Sequence, residues 1–446
     1  MARMAKKEKV LTPEEKLEQA LVPVEEQPYP VPENWCWTQL GSISDIIMGQ
    51  SPEGMATTDD PSFMPLIGGA ADMGDLYPKA TRYTKVPTKI SKTDDIILCI
   101  RATLGRPIYS DGEYCLGRGV AAIRSDTHVK EFIRLGLICF EQYFYENATG
   151  TTFAQVSSPI LKRMPFPLAP LAEQQRIVDR IESLFDKLDE AKEKAQAVVD
   201  GFEDRKAAIL HKAFSGELTK PWRMDNGVNS NNWQMKSVES ICHSLKYGTA
   251  KKSEKAGSVV VIRMGNLQQG EIDWTDLAYT TDIDDIEKYR LEPGDVLFNR
   301  TNSAALVGKT SIYRGEYPAI YAGYLIKLDY NHDVITGDYL NYALNTQDAK
   351  EYCNVVKTDG VNQSNINAKK IGAYVFPVPS IKEQNKIVEL LDDFIEKEKQ
   401  AREAAEQVID QIDAMKKSIL ARAFRGELGT NDPTDESAEE LLNRIL

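Results

Sequence analysis

Residues 166–218 and 376–428 of this chain are two versions of one sequence. Both open on Phe-Pro (Phe166-Pro167, Phe376-Pro377) and pass through Glu-Gln (Glu173-Gln174, Glu383-Gln384) and Ile-Val (Ile177-Val178, Ile387-Val388). Both close on Ala-Phe-x-Gly-Glu-Leu, at 213–218 and 423–428. The offset is 210 at every landmark, and 20 of the 53 aligned positions are identical without a gap. A repeat of this length divides the chain into globular block, helix, globular block, helix: two similar halves in tandem.

The spacing within each copy predicts what the helices pack against. In the first, Ile177, Ile181, Leu184, Leu188, Ala191, Ala195, Val198 and Phe202 step by alternating fours and threes, and Ile209 rejoins the series after Arg205. In the second, Ile387, Leu391, Phe394, Ala401, Ala405, Val408, Ile412, Met415 and Ile419 hold the same positions, with Glu398 interrupting where Leu188 stands in the first. Sustained three–four alternation is the seam of a coiled coil, narrower than the stripe of an ordinary surface helix. From Leu171 to Phe214 such a helix is roughly 65 Å long at 1.5 Å per residue, too long to rest on its own block, so its partner is the other copy. Gly216 and Gly426 stand where a helix C-cap belongs.

The blocks read as mixed and strand-rich. Ile43 to Ile47, Pro65-Leu66-Ile67, 95–98 and 120–123 are expected strands of the first, and Phe132 to Phe144 its one helix. The second repeats this plan with weaker similarity: Asn34-Trp35 corresponds to Asn232-Trp233, Asp95 to Asp295, Gly112-Glu113-Tyr114 to Gly315-Glu316-Tyr317, and Gly150 to Gly360. Ahead of the first block, Met1 to Val10 is basic without an apolar core, so no secretory signal is expected. Thr12-Pro13-Glu14-Glu15 has the marks of a helix start, and Pro23, Pro28, Pro30 and Pro32 impose an extended arm. After the second helix, Asp432-Pro433-x-Asp435 resembles another helix start, with Leu441, Leu442, Ile445 and Leu446 as an exposed docking face or a frayed tail.

Composition excludes several classes. No apolar run reaches membrane-spanning length, and six scattered cysteines without Cys-x-x-Cys spacing imply reduced thiols in a cytoplasmic protein. The four histidines (128, 211, 243, 332) have no metal-ligand spacing. Ser303 to Thr310 approximates a phosphate-binding loop but lacks its first glycine and is taken as chance. The net charge of −13 argues against nucleic acid, but it is uneven: 380–446 carries −6, whereas 31–170 and 221–379 carry −2 each.

The Pro-Phe-Pro-Leu run (165–168), Glu173-Gln174-x-x-Ile177-Val178 and the Ala213-Phe214-Ser215-Gly216-Glu217-Leu218 ending, with their repeat from Phe376, resemble the specificity (S) subunits of type I restriction–modification systems. Gly294 to Arg300 and Gly360-Val361-Asn362-Gln363 are similar to the same family's recognition domains, so the resemblance covers about 31–430. It implies an α+β fold: two target-recognition domains joined by two long helices in an antiparallel coiled coil with pseudo-twofold symmetry. The boundaries expected are an N-terminal arm (1–30), recognition domain 1 (31–170), central coiled-coil helix (171–220), recognition domain 2 (221–379), C-terminal coiled-coil helix (380–429) and acidic tail (430–446). The implied function is non-catalytic reading of a bipartite, asymmetric duplex DNA site, one domain per half-site, with the coil as spacer. Two methyltransferase (M) and two restriction (R) subunits are the implied partners, carrying S-adenosylmethionine, ATP and Mg between them. A protein-only scaffold spacing two partner-binding domains is the alternative.

On that reading, Asn299, Arg300 and Asn302 follow a strand and have the donors and acceptors that reach base edges, Arg being suited to guanine and Asn to adenine. Arg101, Arg106 and Arg118 occupy the matching loops of the first half. Lys246, Tyr247, Thr249, Lys251 and Lys252 form the most basic run of the second block and suit phosphates, with Gln50 and Ser51 as first-block counterparts. Asn362, Gln363 and Asn365 make a further polar cluster. The Gly150-Thr151-Thr152 stretch departs from Gly360-Val361-Asn362, so contact roles at that loop are expected to differ.

Overall fold

A computed structural model describes residues 12–150, 153–229, 233–361 and 363–446. Met1 to Val10, Thr151, Thr152, Asn232 and Asn362, all singled out above, lie outside the described residues. Two compact units form, one running to Lys194 and resuming over 407–446, the other spanning 195–406.

The repeated Phe-Pro segment is the strand that closes each block. Cys36–Gln39 pairs antiparallel with Pro165–Leu168, placing Trp37 opposite Pro167, and Gln234–Ser237 pairs with Val375–Val378, placing Met235 opposite Pro377. Proline is tolerated because each ribbon has only two strands and therefore leaves a free edge. The ribbon joins the beginning and end of a block at the foot of the helix that follows.

The sheets of the two blocks share a topology. In the first unit the order is Asp45–Met48, Val120–Arg124, Ile96–Arg101, Thr103–Tyr109; in the second it is Cys242–Tyr247, Leu325–Tyr330, Val296–Asn299, Thr310–Ile312. Each has a smaller sheet with one parallel pair, Met64–Ile67 with Cys115–Leu116 and Val259–Ile262 with Ala319–Tyr321. The expected helix from Phe132 to Phe144 is two, Lys130–Cys139 and Glu141–Asn147. The break falls at Phe140, whose ring packs against Trp37, Phe166 and Phe424.

The Glu-Gln motif is an anchor. Glu173 and Glu383 sit in the first turns of the helices Leu171–Asp200 and Ile381–Ala423, where a carboxylate complements the helix dipole. All four residues of the motif are buried. Trp35 donates its indole N–H to Glu173 at 2.7 Å and Trp233 donates to Glu383 at 3.0 Å. Gln174 donates to the Ala169 carbonyl and Gln384 to that of Pro379, at 2.9 and 2.8 Å. Each helix is thereby fixed to the block that precedes it. At the far ends, Gly216 and Gly426 adopt φ of +80° and +73°, and a Cβ on Gly426 would lie 2.4 Å from Pro32.

Each unit holds the start of one long helix and the end of the other, and they run antiparallel. In the first unit Lys192 pairs with Asp413 at 2.6 Å and Lys416 with Asp189 at 2.5 Å; in the second Arg205 pairs with Glu398 at 2.7 Å. Partner numbers that fall as the other helix's rise define the direction. The seam differs from expectation in detail. Ile177, Ile181, Phe202, Ile387, Leu391 and Ile412 are buried, and Leu184, Leu188, Val198 and Phe394 are half-buried, but Val408 and Met415 are exposed. Long cationic stems cover the aromatic positions instead, Lys416 lying over Phe185 and Arg402 over Phe202, at 4.9 and 5.6 Å from the ring centres. The first helix is also interrupted at Gly201, between Leu171–Asp200 and Phe202–Phe214. Arg205 reaches back there to the Val198 carbonyl at 2.8 Å, through space that a Cβ on Gly201 would fill.

The arm and tail are docked. Thr12 caps Pro13–Ala20 with the expected capping box, Thr38 donates to the Ala20 carbonyl, and Tyr29 packs edge-on against Trp37. The last helix starts later than expected, at Ala438, capped by Ser437 and Glu440. Its Leu441 and Leu442 are buried rather than exposed, because its apolar face lies on the core of the first block.

Candidate nucleic-acid interface

Three segments far apart in sequence line one cleft of about 970 Å³ in the second block: 249–253, 261–268 and 300–309, with 322–324 completing the wall. Arg300 is its most constrained cation. The guanidinium lies over the Tyr247 ring, 4.8 Å from its centre, and donates to the Gly323 carbonyl at 3.2 Å, while Nε has no protein partner among the described residues. A stacked, half-buried guanidinium with unused donors is preorganised for a planar acceptor edge. Lys309 donates to Gln268 at 2.9 Å on another wall.

The polar cluster near 365 is brought alongside. Thr301-Asn302 pairs antiparallel with Ser364-Asn365, and the Asn365 amide donates to Thr301 at 2.8 Å. Asn302 lines the cleft, and Gln363 stands exposed at the hairpin beyond Asp359.

Two expected contact residues are inward. Asn299 is fully buried; its amide N–H reaches toward the Met264 carbonyl at 3.5 Å and its oxygen accepts from Thr301 N at 3.2 Å, so it shapes the turn. Thr249 is also buried and donates to Asp285. Asn299 ends the strand Val296–Asn299, whose four residues are all buried, and Thr249 lies two residues past the strand Cys242–Tyr247. The basic run is not free either. Lys246 is ion-paired with Asp329 at 2.9 Å, and Lys251 with Asp282 at 2.7 Å and Asp285 at 3.4 Å. The Lys246 ammonium holds the Asp329 carboxyl below the usual range, and Lys251 does the same to Asp282. Lys252 is exposed at the cleft mouth. Arg263, which the sequence reading passed over, also lines the cleft and pairs with Asp276 at 3.0 Å. Its signal was positional, one residue beyond a strand of four apolar residues.

The first block carries other side chains on an equivalent backbone. Ile100 N donates to Gly119 O as Arg300 N donates to Tyr324 O, and Val156 N to Ile100 O as Ile366 N to Arg300 O, each at 2.9 Å. Gln50 N to Leu116 O matches Thr249 N to Tyr321 O, at 2.8 and 2.9 Å. Buried Ile100 therefore stands where Arg300 does, Arg101 where Thr301 does, and Arg118 where Gly323 does. Arg106 is exposed at φ +53° on the neighbouring strand, and Ser51 accepts from Arg118 N at 3.3 Å. The near phosphate-binding loop leads into the strand Thr310–Ile312 rather than a helix, so it lacks the helix N-terminus that such a loop needs. Among the described residues no group of His, Cys, Asp and Glu is arranged to hold a metal, and no helix is long and apolar enough to cross a membrane.

Comparison with known proteins places this architecture. Residues 32–199 and 230–408 each match the family model for the type I restriction modification DNA specificity domain. The type I restriction enzyme EcoKI specificity subunit of Escherichia coli K12 is 23% identical over 423 residues, covering 89% of this chain and 90% of that protein. The StySPI specificity subunit of Salmonella potsdam is 23% identical over 427 residues, with the same coverage. The HsdS subunit from Thermoanaerobacter tengcongensis shares the fold with a TM-score of 0.58 at 19% identity, covering 91% of this chain and 100% of that one. A chain from a structure of type I R-M complex assembly and conformational transition superposes with a TM-score of 0.67 at 18% identity, over 90% and 100%. With both halves matched, the chain belongs to the type I restriction–modification DNA specificity family.

Proposed function

We propose that this chain reads a bipartite, asymmetric duplex DNA site, one block per half-site, with the antiparallel helices setting the gap and docking two methyltransferase and two restriction subunits. The observation that carries this reading is the pairing of one backbone frame with two sets of side chains: Arg300, Thr301 and Gly323 in one block against Ile100, Arg101 and Arg118 in the other. Identical frames suit the same duplex geometry, and different side chains suit different bases. The chain itself contributes recognition; S-adenosylmethionine, ATP and Mg belong on the partner subunits. Co-expression with the cognate methyltransferase subunit, followed by genome-wide mapping of N6-methyladenine, should return one bipartite motif, and methylation unchanged without this chain would sink the reading.

Two outcomes sharpen it. Arg300→Ala should relax or weaken one half-site by ~1–3 kcal/mol while the other half-site stays as it was, read by competition between duplexes with single substitutions. Removing residues 191–197 together with their repeat mates 401–407 keeps the helical phase and shortens each helix by roughly 10 Å, about three base-pair steps. The methylated motif should then keep both half-sites and lose about that much spacer; altered half-site bases would contradict the spacer role.

A further inference from the structure

Apart from Lys252, exposed at the cleft mouth, the cations lining the second block's cleft and Lys246 on the strand leading to it fall into two kinds. Lys246, Lys251 and Arg263 each face a carboxylate, Asp329, Asp282 and Asp276, at 2.9, 2.7 and 3.0 Å. Among the described residues, Arg300 and Lys309 hydrogen-bond only to neutral acceptors, the Gly323 carbonyl and Gln268. Two of the paired cations are accessible: the Lys246 and Lys251 side chains are 59% and 56% exposed, so Asp329 and Asp282 are not compensating for burial, whereas Arg263 is 34% exposed. In the first block, among the described residues, Arg101, Arg106 and Arg118 have no carboxylate at ion-pair distance. Ion pairs do form in the first block, Arg124 with Asp95 and Lys130 with Asp94, but they leave those three candidate contact arginines unpaired.

We infer that Asp276, Asp282 and Asp329 are discrimination residues that neutralise the cations of the cleft, so that the phosphate backbone of arbitrary DNA gains little there. The inference rests on the DNA-reading function proposed above and deepens it. Non-specific binding is driven by cations that replace counterions along the phosphates. A lysine already facing a carboxylate offers an approaching phosphate a neutral pair, and the carboxylate repels it. Arg300 and Lys309 carry no such penalty, so affinity is concentrated at groups able to reach base edges. A specificity ratio is raised as effectively by weakening the wrong complex as by strengthening the right one.

The carboxylates also have structural duties: Asp282 caps Ile283–Tyr289 by accepting from Asp285 N, and Asp329 accepts from Ser244 at 2.8 Å. Asparagine retains an acceptor at each position and is itself a good N-cap, so Asp→Asn removes charge and little else. The test uses the full chain with its methyltransferase subunit and two probes, a duplex bearing the mapped motif and a duplex of scrambled sequence. The triple variant D276N/D282N/D329N should bind the scrambled duplex ~3- to 10-fold more tightly at low salt, with a log–log salt slope steeper by up to ~0.9 for each of Lys246 and Arg263, Lys251 keeping Asp285 at 3.4 Å. Its preference for the motif should fall correspondingly. A charge-matched control, D333N/D348N/E351Q, alters acids outside the cleft and should leave scrambled-duplex binding unchanged. The inference is overturned by a triple variant that keeps the wild-type affinity and slope for scrambled DNA while still binding the motif, or by an equal gain in the control. A wild-type complex with no preference for any mapped motif would instead overturn the reading function beneath it.

Discussion

Glu383→Ala should destabilise the second unit by about 3–5 kcal/mol, because it strands a buried cation. Glu383 accepts from Arg223 at 2.6 Å, Thr219 at 2.7 Å and Trp233 at 3.0 Å, and the Arg223 and Glu383 side chains are 9% and 1% exposed. Without the carboxylate, Arg223 keeps, among the described residues, the Gly216 carbonyl, the Thr219 hydroxyl and the face of the Trp233 ring, none of them charged. The first unit supplies the internal comparison. Glu173 accepts from Trp35, Thr430 and Asn431, all neutral, so Glu173→Ala orphans no charge and should cost ~1–3 kcal/mol. Hydrogen exchange at the amides of 381–391 and 171–181 would read the two losses separately, which a single melting curve of a two-unit protein does not. Equal losses at the two sites would show that the ion pair adds nothing beyond its hydrogen bonds.

Phe424→Ala should cost the first unit about 3–5 kcal/mol, since it empties the centre of an aromatic cluster. Phe424 is fully buried, with ring centres of Phe132, Phe140 and Phe166 at 5.0, 5.7 and 6.0 Å. Its repeat mate Phe214 is only half-buried and meets one ring, Tyr339, at 5.0 Å. Phe214→Ala should therefore cost clearly less, even though both phenylalanines stand in the same Ala-Phe-x-Gly-Glu-Leu ending. Limited proteolysis of the two variants would separate them: the Phe424 variant should expose sites in 130–168, the Phe214 variant should not. If both resist cleavage equally, the cluster is not what fastens the helix end to the first block.

These pairs show where sequence reading succeeded and where it stopped. The helices, their caps at Gly216 and Gly426, the Thr12 capping box and the duplicated plan were legible because each signal is local, a spacing or cap within a few residues. The family resemblance supplied the antiparallel direction, which Lys192–Asp413 and Lys416–Asp189 display within the first unit. Gly201, Val408 and Met415 were misjudged because heptad periodicity treats a long helix as uniform. Val408 and Met415 stay exposed, while Arg402 and Lys416 place their cationic groups over the Phe202 and Phe185 rings.

The candidate interface was legible only in part. Composition located the polar loops, and the resemblance assigned them to DNA, but the direction of each side chain is a tertiary matter. Asn299 and Arg300 are neighbours in sequence, yet one is buried and the other lies over Tyr247, because strand alternation sends them to opposite sides. Lys251 reads as a free phosphate contact until Asp282, 31 residues away, folds against it. Two similar halves and two long helices were legible along the chain, since spacing and caps depend on residues a few positions apart. The anchoring role of Glu173 and Glu383 and the sorting of cations into free and paired came from folding, because Trp35, Trp233 and Asp282 are remote in sequence from the groups they meet at about 3 Å.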